Sequence, residues 1–218
     1  MAIGWFRSWQ QRRRAEFIRT YRWPPGLLDK LSRQHPALQR KESALVSSGL
    51  RQFFLAHLMI GRKFVSMPSQ AADDLWHEFI LYTREYQGFC KSAFGTFLHH
   101  TPAVVLGENR TKNEGLRRVW WQCCKEESID PRNPTRLPLL FALDAKLKIP
   151  NGFIYHPDCE PWRRREGKND QPASAVHCGG DFSSASVEGG TDGFGDSGNA
   201  DGGGDGGGDG GGGCGGGD

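Results

Sequence analysis

Apolar residues recur at spacings of three and four along most of the first 150 residues, which is the period of amphipathic α-helices. Proline and glycine interrupt this pattern between the helical segments. Strand-like alternation is scarce, so the predicted fold is mostly α, a single helical domain. The pattern predicts an N-terminal helix within residues 1–24 and further helices at about 25–35, 43–60, 69–90, 112–127 and 137–148.

The segment from Ser69 to Cys90 has the broadest apolar surface, with two adjacent apolar stripes that meet at Phe79. Such breadth is typical of a central, largely buried helix. Ser69 suits the N-cap, and Asp73 lies early enough to favour the positive end of the helix dipole. We expect one continuous helix here, in which Gly88 is the only candidate for a break.

The N-terminal helix alternates aromatic residues with arginines, as in Trp5, Phe6, Arg7 and Trp9. Its aromatic side chains can pack on the rest of the protein, which is the interpretation we favour. A helix of this composition can also lie on an anionic membrane surface or on nucleic acid.

Charge and glycine divide the chain in two. Residues 1–168 contain all 28 Lys and Arg against 16 acids, a net +12, whereas residues 169–218 have nine acids and no basic residue. Twenty of the 30 glycines lie in that second part, and few of its residues are apolar. Such a segment cannot bury enough surface to offset its chain entropy. We therefore predict a helical globular domain over 25–168 and a disordered Gly/Asp-rich tail over 169–218.

Several protein classes are excluded by simple patterns. No apolar run approaches the roughly 18 residues of a membrane-spanning helix. The first residues do not resemble a secretory signal, and the six cysteines lack the regular spacing of a disulfide framework. Reduced thiols and a cytoplasmic location are expected. No phosphate-binding glycine motif and no G-x-S-x-G elbow is present.

Asp73 and His77 are the residues most suited to chemistry. Four residues apart on a helix, they share one face. A turn at Gly95 would let His99 or His100 return to His77. Asp73, His77 and one of these histidines offer the N and O donors of a zinc or iron site. The pair is also suited to a buried hydrogen bond that braces the helix, a normal way to satisfy interior polar groups. Both interpretations remain open.

Cys90 lies 13 residues beyond His77. In a continuous helix this separation is about 20 Å along the axis and about 140° around it. Cys90 is therefore not expected to bind the same metal ion as His77.

An ordered set of short motifs resembles the glycine-rich domain-containing proteins of plants and bacteria. The motifs are Met67-Pro68-Ser69, Asp73-x-x-Trp76-His77, Tyr86-x-x-Phe89-Cys90 and Gly95-x-x-Leu98-x-His100, followed by a glycine-rich end. The resemblance implies a structural or ligand-binding cluster of Asp73, Trp76, His77, Tyr86 and Cys90. It also implies that His100, rather than His99, is the family position. This chain departs from the pattern at Phe89 and Thr101, where the family has aspartates.

Three functions follow as hypotheses. The first is a soluble interaction or scaffolding module with a flexible acidic tail, acting through a protein partner or self-association. The second is a metal-dependent enzyme, such as a hydrolase, that uses Asp73, His77 and His100. The third is a non-specific nucleic-acid binder that uses an Arg and Trp surface, including Trp120 and Trp121 and the Trp162 to Arg165 stretch.

Overall fold

The computed structural model describes residues 2–61, 63–100, 114–157 and 177–182. Within them lie seven α-helices and one pair of two-residue strands, which confirms the mostly α prediction. The strands pair in parallel, Tyr155 with His177 and His156 with Cys178. The elements are α1 (Ala2–Thr20), α2 (Leu27–Gln34), α3 (Arg40–Met59), α4 (Gln70–Leu81), α5 (Thr83–Ala93), α6 (Glu114–Glu126), α7 (Leu139–Leu147), β1 (Tyr155–His156), β2 (His177–Cys178) and a 3-10 turn (Gly179–Phe182).

The central helix is α3, which contacts α1, α2, α4, α6 and α7. Four of its apolar residues, Val46, Leu50, Phe53 and Phe54, are fully buried. Gly49 lets α7 approach closely, because a Cβ there would lie only 2.4 Å from Leu143 Cδ1. The prediction that the segment after Ser69 forms the central helix is therefore wrong; that segment packs on one side of α3.

The predicted continuous helix from Ser69 to Cys90 is divided into α4 and α5 at Tyr82, not at Gly88. Tyr82 has φ −81° and ψ 66°, outside the helical region. Its hydroxyl donates to the Pro25 carbonyl at 3.1 Å. Beyond the break, Phe89 of α5 packs edge-on against Phe79 of α4, with ring centroids 5.4 Å apart. The break therefore follows from tertiary packing, because the sequence has no helix-breaking residue at this position.

A buried carboxylate fixes the start of α4. Asp144 of α7, 3% exposed, accepts from Ser69 Oγ at 2.7 Å and from the backbone NH groups of Gln70 (2.7 Å), Ala71 (3.2 Å) and Phe153 (2.9 Å). Negative charge at a helix N-terminus satisfies its free NH groups and its dipole. No local pattern predicts this contact, and its one signal in the sequence is a single acid in a mostly apolar helix.

Helix α1 packs on the protein through its second half. Ile18 is fully buried, and the rings of Phe17 and Tyr21 contact Phe89 with centroids 5.8 and 4.8 Å apart. The prediction that the aromatic side chains of α1 pack on the rest of the protein is confirmed for Phe17 and Tyr21. It is wrong for the aromatic residues in the first half, Trp5, Phe6 and Trp9, which are exposed.

Part of the predicted tail is packed. Phe182 is fully buried, and its ring contacts Trp120 and Phe141 at centroid distances of 5.6 and 6.0 Å. The prediction of a disordered segment from residue 169 onward is therefore wrong for residues 177–182, because the side chain of Phe182 packs in the core beside α6 and α7. The rest of the predicted tail lies outside the described residues.

Cysteine chemistry also departs from expectation at one position. Cys178 is disulfide-bonded, whereas Cys90, Cys123 and Cys124 are free and buried. Burial raises the pKa of Cys124 to about 12 and raises that of Cys123, so these two side chains behave as small apolar groups. Every helix in the described parts of the chain is too short or too polar to serve as a membrane span.

Candidate metal centre

The first turns of α4 place Asp73 and His77 on one face. Ser69 begins the helix, and its hydroxyl accepts from the Ala72 NH at 3.2 Å. One turn later Asp73 follows, and after another turn comes His77, with Nδ1 3.7 Å from Asp73 Oδ2. The four-residue spacing therefore acts as the sequence predicts.

The chain returns to this face after a turn at Gly95. Gly95 has φ +79°, and its NH bonds the carbonyls of Cys90 and Lys91 at the end of α5. A Cβ at this position would lie 2.6 Å from Arg14 Nη2, while Arg14 Nη1 donates to Phe94 O at 3.1 Å. Glycine is favoured here by its left-handed backbone, and a side chain at this position would also displace the Arg14 guanidinium.

A buried tyrosine holds the returning loop. Tyr86 OH donates to Leu98 O at 2.5 Å and accepts from Trp76 Nε1 at 3.1 Å. The Cys90 thiol lies beside the Tyr86 hydroxyl and the Leu98 backbone. Burial raises the pKa of Tyr86 well above its usual range and also raises that of Cys90, so both side chains remain neutral. This neutral network fixes Leu98, two residues before His100.

His100 completes the group. Its Nε2 lies 2.8 Å from Asp73 Oδ1, and its ring centroid lies 4.2 Å from that of His77 and 4.5 Å from that of Trp76. One ligand atom from each of Asp73, His77 and His100 lies within 4.8 Å of the other two. Among the described residues this is the only such group of three or more His, Cys, Asp or Glu side chains.

The neighbouring histidine and the cysteine are placed elsewhere. His99 is exposed, and its ring contacts Phe97 with centroids 4.9 Å apart. Cys90 is buried and does not belong to the three-residue group, as the sequence predicts, although the break at Tyr82 changes the geometry on which that argument rested. The predicted structural cluster therefore forms two parts: Trp76, Tyr86 and Cys90 lie behind the loop, and the Asp73 and His77 face lies in front.

Exposure differs sharply within the group. The side chains of His100 and Asp73 are 10% and 14% exposed, whereas that of His77 is 49% exposed. In a tetrahedral zinc site, ligand atoms about 2.1 Å from the ion lie about 3.4 Å apart. The ligand atoms are therefore nearly in place, and the exposed His77 is the side chain that can rotate to close the remaining gap. The solvent side of the group is open for a further ligand.

One tryptophan of the predicted Arg and Trp surface lies in the core, and another is half-buried beneath Arg132. Trp120 is fully buried, so it cannot stack on a base, because α6 turns it toward Phe141 and Phe182. Trp121 donates from Nε1 to the Phe182 carbonyl at 3.1 Å. The stretch from Trp162 to Arg165 lies outside the described residues.

This chain belongs to the UCP032817-like family, whose sequence profile matches residues 13–182. Comparison with curated proteins and with solved structures finds no match. The matched range includes Asp73, His77 and His100 and also the packed residues 177–182.

Proposed function

We propose that this protein binds one divalent transition-metal ion through Asp73, His77 and His100, and that it acts as a metal-dependent hydrolase. The observation that carries the proposal is the convergence of the three side chains within 4.8 Å, from α4 and from a loop 23 to 27 residues away in sequence. Two imidazoles and a carboxylate are a donor set suited to zinc and to iron.

The chemistry of the donor set supports hydrolysis. Three protein ligands leave at least one coordination position for water, and a zinc-bound water has a pKa near 7. The half-exposed His77 keeps that position accessible to a substrate. Asp73 already faces the His100 ring, so a metal ion bound between them would replace a proton and binding would weaken as the pH falls.

The adjacent residues His99 and His100 provide a matched pair of variants for testing metal binding. Untagged protein is titrated with zinc against a competing chelator, alongside the variants His100→Ala and His99→Ala. We expect one zinc per chain in the wild type and in His99→Ala, and an affinity lower by about 100-fold or more in His100→Ala. Equal affinity in the two variants, or no stoichiometric zinc in the wild type, would contradict the proposal.

Hydrolysis is tested separately with the zinc-loaded protein on activated carboxylic and phosphate esters. We expect activity that is lost on chelation and in His77→Ala and retained in His99→Ala. Zinc binding without any ester hydrolysis would leave a metal-binding protein and refute the hydrolase.

The interaction role and the cytoplasmic location remain proposals alongside the metal site. Three of the four described cysteines are free, which supports a reducing compartment. The relation to glycine-rich domain-containing proteins is supported by the way their motif residues meet around the loop that ends at His100. Alkylation and mass spectrometry of the protein isolated from its own cells would test the location, because a persistent disulfide at Cys178 would contradict a reducing compartment.

A further inference from the structure

The first half of α1 extends beyond the packed core. All side chains from Gly4 to Gln10 are exposed, and a Cβ on Gly4 would have no heavy atom within 4 Å. Partial burial begins at Gln11, and full burial begins at Ala15 and Ile18. About two turns of helix therefore project from the protein without contacts that would stabilise them.

The projecting part has large aromatic side chains. Trp5 is 73% exposed, Phe6 55% and Trp9 43%. Phe6 and Trp9 contact each other with ring centroids 6.0 Å apart. At 100° per residue the three lie within an arc of about 100°, on the side opposite the buried Ile18. The patch thus faces away from the protein and is open to a flat surface.

Positive charge adjoins this patch on the same side. Arg12 and Arg13 are exposed one to two turns further along nearly the same arc, whereas the exposed Arg7 lies on the other side of the helix. The Arg13 guanidinium lies over the Trp9 ring, 4.9 Å from its centroid. A cavity of about 280 Å³ at the base of the patch is lined by Trp9, Arg13, Arg14 and others. Such a notch can admit a phosphate group.

We infer that this patch, defined by Trp5, Phe6 and Trp9 with Arg12 and Arg13, binds the surface of membranes that contain anionic phospholipids. Interfacial helices place tryptophan and phenylalanine at the level of the lipid headgroups and arginines against anionic lipid. The patch has this composition. The aromatic rings enter the interface at the tip of α1, and the arginines pair with lipid phosphates about 12 Å nearer the protein. This function is independent of the proposed metal centre.

The test is co-flotation of the full chain with vesicles of phosphatidylcholine alone and of about three-to-one phosphatidylcholine and phosphatidylserine. We expect binding to the anionic vesicles and little to the neutral ones. Replacing Trp5, Phe6 and Trp9 together by alanine should reduce binding about tenfold or more. The control Leu81→Ala, which removes a 66% exposed residue on α4, should bind as the wild type. Flotation of the triple alanine variant at the wild-type level would overturn the inference.

Charge is tested independently, so that the inference does not depend on one variant. Changing Arg12 and Arg13 to glutamine should weaken binding about 30-fold. The same two-charge change at the exposed Arg33 and Arg84 should weaken it less than about fivefold. Equal losses in the two sets would indicate a non-specific charge effect and would overturn the assignment. So would binding to single-stranded nucleic acid that needs the patch while vesicles do not float.

Discussion

Two neighbouring residues of α4, Asp73 and Asp74, contact histidines at the same distance and yet form different sites. Asp74 Oδ2 lies 2.8 Å from His35 Nε2 of α2, and its other oxygen accepts from Gln70 Nε2 at 2.9 Å. Asp73 Oδ1 lies 2.8 Å from His100 Nε2, but its other oxygen faces the second imidazole, His77. Successive helix residues point about 100° apart, so one carboxylate faces α2 and the other faces the returning loop.

The difference shows what separates a brace from a candidate metal site. Both aspartates are mostly shielded, at 14% and 22% exposed, so burial does not distinguish them. The partner of the second carboxylate oxygen is what distinguishes them. An amide donor from Gln70 completes the Asp74 pair within the protein, whereas the imidazole of His77 offers a lone pair to a metal ion. An Asp and His contact alone therefore does not indicate a metal.

The sharpest test of this contrast exchanges each carboxylate for an amide. Asp73→Asn should lower zinc affinity by about 100- to 1,000-fold, because each ligand of a four-ligand zinc site contributes a large share of the binding free energy. Asp74→Asn should change it by less than about threefold. Zinc titration of both variants checks this; similar losses would show that both sides of α4 act together.

A third carboxylate, Asp144, contributes to stability rather than to ligand binding. Asp144→Asn places an amide NH₂ against NH donors at the start of α4, and should lower the free energy of unfolding by about 3 kcal/mol. Asp74→Asn serves as the matched variant and should lose about 1 kcal/mol or less. Urea unfolding of both provides the comparison, and equal losses would mean that the α4 anchor is weaker than its four hydrogen bonds suggest.

The loop that carries His100 can be loosened without touching a ligand. Tyr86→Phe removes the hydroxyl that bonds Leu98 O and Trp76 Nε1, and should lower zinc affinity about tenfold, as the loss of supporting groups around metal ligands does. Tyr82→Phe removes a hydroxyl bonded to Pro25 O and should leave zinc affinity unchanged. Unchanged affinity in Tyr86→Phe would show that His100 is positioned by other contacts.

Removing the histidine on either side separates the two roles in the absence of metal. His35→Gln should cost about 1 kcal/mol of stability, because its bond to Asp74 links α2 to α4. His77→Gln should cost less than about 0.5 kcal/mol, because the ring is half exposed. Chelator-treated protein is unfolded in urea; a larger loss in His77→Gln would make His77 a structural residue.

The free energy of unfolding should depend on pH through Glu127, a carboxylate whose hydrogen-bond partners are all structural. Burial would raise the pKa of Glu127, but hydrogen bonds from the Leu139 NH, Gln52 and Arg136 outweigh it and lower the pKa. When the pKa of a carboxylate is lower in the folded protein than in the unfolded chain, its ionised form stabilises the fold at pH values above the unfolded-state pKa. This stabilisation is lost as the pH falls through the folded-state pKa. Glu127→Gln should therefore cost about 1 kcal/mol at pH 7 and progressively less toward pH 3. A constant difference across that range would contradict the assignment.

Local sequence patterns are sufficient to predict much of the secondary structure. Periodic apolar residues, prolines and caps place the helices at Leu27–Gln34, Glu114–Glu126 and Leu139–Leu147 within two or three residues of their predicted positions, because these signals act over one or two turns. The spacing of Asp73 and His77 likewise fixes their common face. The spacing alone leaves His99 and His100 open, and the motif resemblance implies His100, which the structure places against Asp73. Long-range contacts determine that α3 is the centre, that the chain breaks at Tyr82 and that Asp144 caps α4. Each of these depends on contacts between residues distant in sequence, whose free energies no local pattern encodes.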